Sequence, residues 1–370
     1  MQIASDSVPR DELESILGRD GLSRDAAGVS ILAPGSSEAL ESLARLVAGG
    51  RFRLSLDDAP PSPAARLSLR RLDRILDIDA NNLTALVEPG VTHAALGDAL
   101  AQLGLCWPVA PLPGHATLAA SFLSGLSLGR SGRFPDLRHW VLGADLIAGG
   151  GLCIPAGGGT IKNSAGYELT RAAAGAGGEI GIPATLRLRL ERQPEARRAV
   201  TIALSDAGDT TAVLALAHAE LEIVERLTFA GTATIPTAAT VRFAGRTTGV
   251  DRLASFLQER FPVGATDPEP PALRTCAAAA AILIWNCGAA TGRRIVAALA
   301  RRPDSRNIAF VSLPLQRRGF ASGGVPDSLA ALIAGAGATP FTAGPGFEGL
   351  AISDRLAPAV RALSPIRRIP

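Results

Sequence analysis

Residues 157–182, GGGTIKNSAGYELTRAAAGAGGEIGI, concentrate the chemistry of this 370-residue sequence. Arginine supplies all but one of its 37 Lys and Arg residues; the exception, Lys162, lies five positions before the only tyrosine, Tyr167, between two glycine clusters. Gly175, Gly177, Gly178 and Gly181 permit positive φ and let the backbone approach a ligand with its N–H groups turned toward oxygens. The spacing does not fit G-x-G-x-x-G, because Ile180 stands where the last glycine belongs. Nor is it a P-loop, since Lys162 follows Ile161 and precedes Asn163. Two readings stay open on spacing alone: a backbone that lies against a ligand, or a tight turn that packs TRAAAGAG against a sheet.

Other reactive side chains are scattered. His93, His115, His139 and His218 are isolated, with His93 in the first turn of a helix and His218 near the end of another; both read as solvated faces. His115 is the one worth testing, although a loop histidine with a satisfied hydrogen bond explains it as well. Cys106, Cys153, Cys276 and Cys287 lack any C-x-x-C spacing, so neither zinc nor an iron–sulfur cluster is expected, and they read as small reduced core residues. Trp107, Trp140 and Trp285 read as core.

The length calls for two domains. An apolar fraction of 47% with 19% charged residues describes an ordered globular chain, and a net charge of +3 spread along it is no nucleic-acid footprint. The N-terminus lacks the basic and apolar regions of a signal peptide, and the longest apolar run, at Cys276, is too short to span a bilayer. A cytoplasmic protein without a transmembrane segment is expected.

Local patterns give the elements. Leu40, Leu43, Ala44 and Val47 recur at helical spacing behind Ser36 or Ser37, either of which can cap. Ile75–Ile78 and Leu83–Val87 read as a hairpin turning at Asn81-Asn82, and Thr92 caps a helix carrying Leu96, Leu100 and Leu103. Residues 107–159 are loop-rich α+β. After an arginine-rich linker the order becomes β-α-β-β-α, followed by strand candidates AAILIW and NIAFVSLPL, which points to a ferredoxin-like second domain. No fixed-period repeat is visible.

TIKNSAGYELTR followed by AGAGGEIGIPATLRL resembles a segment of the vanillyl-alcohol-oxidase type FAD-linked oxidases, whose flavin domain is called the PCMH type. APGSSEALESLARLV, the run from Asp73 to Gly125 and DLRHWVLGADLIAGGG agree in order. Within that group the chain is most similar to the E subunit of bacterial glycolate oxidase. The resemblance implies an α+β fold: an N-terminal extension at 1–27, a PCMH-type FAD-binding domain of two α+β subdomains at 28–192, and a ferredoxin-like cap at 193–370, truncated at its C-terminus. It implies FAD as cofactor. Ala116, Thr117 and Leu118 match the turn beside the phosphates and ring; Gly175, Ala176, Gly178, Gly181 and Ile182 match the backbone along the flavin and ribityl chain; Lys162, Asn163, Gly166 and Tyr167 organise the following helix, with a direct cofactor contact within their reach. It also implies a small 2-hydroxy acid substrate, a larger flavoprotein subunit and an iron–sulfur subunit as partners, and through them a peripheral place at the inner membrane.

The chain departs from the pattern in its cofactor loops. Where the family has a glycine-rich pyrophosphate loop, this sequence has RFRLSLDDAPPSPA, in which Pro60, Pro61 and Pro63 have no N–H to give and Asp57 and Asp58 repel a diphosphate. Ala119-Ala120 replaces a glycine pair, and Glu179 stands where a polyanion is expected. No catalytic residue and no metal ligand can be assigned. The expected function is therefore an FAD-binding subunit that passes electrons from a 2-hydroxy acid to a partner; the alternative is a flavin-free scaffold that stabilises the catalytic flavoprotein. A nucleotide-binding regulator using GAGGEIG fails on motif spacing.

Overall fold

The computed structural model describes residues 10–25, 28–49, 54–55, 65–111, 116–125, 128–129, 137–158, 169–205, 207–231 and 238–263, and four strands at 282–286, 309–313, 318–322 and 339–343. The chain begins with α1 (Arg10–Leu17), β1 (Leu22–Arg24), β2 (Ser30–Leu32), α2 (Ser37–Ala48), β3 (Leu54–Ser55) and β4 (Ala65–Leu67). The strands form a sheet in the order β1-β2-β4-β3, antiparallel at β1 and parallel elsewhere. Residues 10–24, read from the sequence as an extension, thus supply a helix and an edge strand, and Leu13 and Leu17 are buried with Leu32, Leu40 and Leu43. The cap of α2 is Ser36, whose Oγ accepts from Ala39 N at 3.2 Å.

A second layer follows: β5 (Ile75–Asp79), β6 (Thr84–Val87), α3 (His93–Ala101), β7 (Leu105–Cys106), β8 (Val109–Ala110), α4 (Leu118–Ser124), β9 (Leu128–Gly129), β10 (Val141–Ile147), β11 (Cys153–Gly157), α5 (Leu169–Ala173) and β12 (Ile182–Arg189). Five of these strands form an antiparallel sheet, β11-β10-β12-β6-β5, while β8 pairs with β9. The expected hairpin is β5–β6; Asp79 Oδ1 accepts the Asn81 and Asn82 amides, each at 2.9 Å, and so fixes the turn. Thr92 caps α3 as its position suggests, accepting from Ala95 N at 3.1 Å. The core of this layer includes Leu96, Leu100, Phe122, Trp140, Leu146, Leu186 and Leu188. Ala119, Ile147 and Ala184 belong instead to the core of the first layer, so α4 and the middle of the second sheet close the seam between the layers.

The turn before α3 is tightly held. Glu88 is 1% exposed, and its carboxylate takes the Arg74 amide at 2.8 Å and the Arg74 guanidinium at 2.7 Å. Next to it, Gly90 N donates to Leu72 O at 2.7 Å. A side chain at Gly90 would have to enter the carbonyls of Leu69 and Leu72.

Strand β13 (Glu191–Arg192) pairs with β7 and leads into the second domain: β14 (Ala196–Ala203), α6 (Ala207–Ala219), β15 (Val224–Gly231), β16 (Ala238–Gly245), α7 (Thr247–Arg260), β17 (Ile282–Asn286), β18 (Ala309–Leu313), β19 (Arg318–Ser322) and β20 (Thr339–Ala343). The sheet runs β14-β16-β15-β18-β19-β17-β20, antiparallel throughout. Its first half is the expected split β-α-β-β-α unit, with Val263 after α7 bridging Ile202 on the outer side of β14. The second half repeats that plan from the opposite edge: fourth strand, first, third, second. The sheet is two like units joined strand to strand at β15 and β18, a topological repeat with no counterpart in a sequence period. Among the described residues, no helix is long and apolar enough to cross a membrane.

Two glycine substitutions separate packing from propensity. Gly90→Ala should destabilise by about 1–3 kcal/mol, because a methyl has no room beside two backbone carbonyls. Gly97→Ala, in α3 with open space around it, should stabilise by about 0.5–1 kcal/mol. Denaturant midpoints of the two variants check both signs.

Candidate functional site

The residues that the resemblance brings to a cofactor gather around α4. At its N-terminal end Thr92 and Thr117 form an isolated antiparallel bridge, in which His93 N donates to Ala116 O at 3.0 Å and Leu118 N to Val91 O at 2.9 Å. Ala119 N donates to Pro89 O at 2.6 Å, and Ala120 N to Thr117 Oγ1 at 3.3 Å. The amides of Leu118, Ala119 and Ala120 are therefore all committed within the protein. Of the three expected residues, Ala116 is exposed, while Thr117 and Leu118 are buried. Ala119, where the pattern has glycine, turns its methyl into the seam between the layers.

At the other end of α4 stands the glycine cluster. Gly175 N donates to Phe122 O at 2.8 Å and Gly177 N to Leu123 O at 2.9 Å, so the cluster caps carbonyls that a helix end leaves without partners. Gly175, Gly177 and Gly178 have φ of 89°, 58° and 85°. Gly125, with φ of 64°, lies so close that a Cβ there would sit 2.7 Å from Gly175 Cα. Ala176 N and Glu179 N close the turn on Ala173 O and Ala176 O, both at 3.0 Å, and Arg138 holds Ala174 O through Nε and Nη2. Gly181 is buried, and Ile182 opens β12 opposite Ile147 of β10. The turn thus packs two short helices together, which is one of the two uses its glycines suggested. Lys162, Asn163, Gly166 and Tyr167 lie outside the described residues, as do Asp57, Asp58, Pro60, Pro61, Pro63 and His115.

Beside α4 the structure assembles a group that sequence reasoning missed. His93 is half-buried rather than solvated: its Nε2 lies 2.9 Å from Oγ of the fully buried Ser121, and its ring stacks on Trp107 with centroids 5.6 Å apart. The only signal for this was helix phase, which sets His93 on the side of α3 toward Leu96 and Leu100. Trp107 Nε1 and Thr170 Oγ1 are buried without a hydrogen-bond partner. Such donors cost about 1–3 kcal/mol each unless an acceptor reaches them. His139 is exposed beside the buried Trp140, and His218 lies in α6. Among the described residues there is no group of three His, Cys, Asp or Glu side chains able to hold a metal ion.

For a flavin dinucleotide the fit is divided. Trp107 Nε1 and Thr170 Oγ1 are buried donors that a ligand's acceptors would satisfy, whereas Gly125 and Gly175 close on each other. A diphosphate laid on the first turn of α4 finds no uncommitted amide among Leu118, Ala119 and Ala120. These residues do not fit that part of the group.

Residues 39–157 match the family model described as FAD binding domain. The chain is 28% identical over 205 residues to the D-2-hydroxyglutarate dehydrogenase of Xanthomonas citri pv. viticola, covering 53% of this chain and 43% of that protein. It is 30% identical over 178 residues to the D-lactate dehydrogenase of Archaeoglobus fulgidus, covering 45% and 40%. Over 137 residues it is 31% identical to the glycolate oxidase subunit GlcD of Bacillus subtilis, covering 36% and 28%. The chain therefore spans less than half the length of these relatives. Among solved structures, alkyldihydroxyacetonephosphate synthase superposes with a TM-score of 0.68 at 13% identity, covering 98% of this chain and 84% of that one. A berberine bridge enzyme variant gives 0.59 at 16%, covering 91% and 80%. These likenesses establish the α+β fold. The sequence likeness is to FAD-linked 2-hydroxy acid dehydrogenases and to a glycolate oxidase subunit, over part of this chain's length.

Proposed function

We propose that this chain is the FAD-binding subunit of a glycolate oxidase-like complex, oxidising a small 2-hydroxy acid together with a larger flavoprotein subunit and passing electrons to an iron–sulfur subunit. The observation that carries the reading is the FAD binding domain match over residues 39–157, which spans α3, α4 and strands β10 and β11. A flavin, when bound, accepts two electrons from a substrate and releases them singly. Gly175, Ala176, Gly178, Gly181 and Ile182 are assigned the van der Waals floor along it, and Ala116, Thr117 and Leu118 the turn beside it. Lys162, Asn163, Gly166 and Tyr167 are assigned the organisation of the helix that follows them, with a direct cofactor contact within their reach. The domain division at residues 192 and 193 belongs to the same reading, with the cap providing the substrate side. The complex is assigned to the cytoplasm, at the inner membrane through its partners.

The committed amides of α4 favour a second reading, in which the chain keeps the fold as a flavin-free scaffold for the larger flavoprotein subunit. The absorption spectrum of the purified chain after incubation with FAD and removal of the excess separates the two. Near-stoichiometric flavin, bleached anaerobically by glycolate, D-lactate or D-2-hydroxyglutarate, is expected of the first. A protein that stays colourless, both alone and when mixed with FAD in the presence of the larger subunit, would leave only the scaffold.

The interlock at Gly125 gives a sharper expectation. Gly125→Ala meets both a positive φ and the Gly175 backbone, and should lower stability by about 1–3 kcal/mol. It should also release flavin during gel filtration, while Gly97→Ala retains it. Equal retention in the two variants would separate the glycine turn from cofactor binding.

A further inference from the structure

The cap sheet has two unlike faces where β14, β15 and β16 lie side by side. Toward α6 and α7 these strands turn Val200, Ile202, Leu227, Val241 and Phe243, which form the core of the cap with Leu214 and Leu253. Strand alternation and register put Thr201, Thr228, Thr240, Arg226 and Arg242 on the other face. Thr228 pairs with Thr240, which pairs in turn with Thr201, and the Thr201 and Thr240 hydroxyls lie 3.0 Å apart. At the next position on this face Arg226 stands directly opposite Arg242.

A polar sheet face is ordinarily open to water. This one is shielded: Thr228 is 1% exposed, Thr240 3% and Arg226 4%. Arg242 is half-buried, and so is Ala199, its partner on β14, whose single methyl leaves room beside the guanidinium. Two cations directly across a strand pair repel, and taking a guanidinium out of water costs free energy that an anion offsets. The carboxylate next in the chain, Glu225, is turned to Arg197 on β14, whose Nε lies 3.2 Å from Glu225 Oε1.

We propose that this face of the cap is an anion-binding site, in which Arg226 and Arg242 grip a small dianion, a dicarboxylate or a phosphate, beside the Thr201 and Thr240 hydroxyls. The planar fork of a guanidinium matches the paired oxygens of either group. Two such forks on side chains about 5 Å apart at Cβ suit a ligand with two negative charges better than one with a single charge. Arg242 and Ala199, both half-buried, form the open side of the site, with Arg226 behind them. The site is built from the cap's own strands, so it goes beyond the flavin reading of the first domain and stands whether or not flavin binds there.

Isothermal titration of the full chain with succinate, inorganic phosphate and acetate, at one fixed ionic strength, tests the site. Succinate or phosphate should bind, with acetate weaker by about tenfold or more because a single charge leaves one guanidinium unanswered. The tighter of the two dianions identifies the ligand class. Arg242→Gln should weaken that dianion by about 10- to 100-fold, the loss expected when one charged hydrogen-bonding partner is removed. Arg252→Gln, the same change of charge on α7, where Arg252 bonds Glu220, should leave binding as it was. Arg226→Gln should also lose the dianion; if that buried change prevents folding, the half-buried Arg242 decides alone. Absence of binding, acetate as tight as both dianions, undiminished binding in Arg242→Gln, or an equal loss in Arg252→Gln would overturn the proposal.

Discussion

The first domain depends on how the two ends of one short helix are held. A helix as short as α4 is not stable by itself, because so few hydrogen bonds do not offset the entropy of nucleation. Here its first turn is docked by backbone bonds from Leu118 and Ala119 to the Glu88–Val91 turn, and its last carbonyls are capped by Gly175 and Gly177. Between these ends Phe122 and Ser121 are buried, so the helix carries the core of the second layer while Ala119 faces that of the first. The Glu88–Arg74 pair and the close fit of Gly90 hold the docking turn, and the left-handed glycines hold the cap. What can bind beside α4 follows from how much of its backbone those contacts leave open.

Much of this fold was legible because its signals are local. Ser36 and Thr92 cap their helices with their own side chains, and Asp79 closes the β5–β6 turn over Asn81 and Asn82. The first half of the cap follows from strand and helix periodicity alone. The edge role of β1 was not legible, since Leu22–Arg24 carries no alternation to mark a strand. The twofold plan of the cap sheet escaped for a different reason: the two halves share strand order, and order is not written as a repeating residue pattern. His93, Ser121 and Trp107 come from three elements, so only tertiary packing brings them together.

The candidate site was legible as a place and less so as a chemistry. Glycines at Gly175, Gly177 and Gly178 announce positive φ, and the structure has it at all three. Yet the same conformation serves a ligand or a neighbouring helix, and the choice depends on where the amides point. An N–H committed to one carbonyl at ordinary hydrogen-bond length is not free for a phosphate oxygen without giving up that bond. Two of the cluster's amides reach α4 and two close the turn itself, a use that no spacing rule encodes.

Alanine in place of glycine sharpens the point at Ala119. A glycine there would leave the backbone open to close approach; the methyl instead fills the seam between the two layers, where Ile147 and Ala184 meet it. Burying a methyl contributes about 0.8 kcal/mol, and alanine adds about 0.8–1 kcal/mol over glycine within a helix. Both terms favour the rigid, docked helix over an accommodating one.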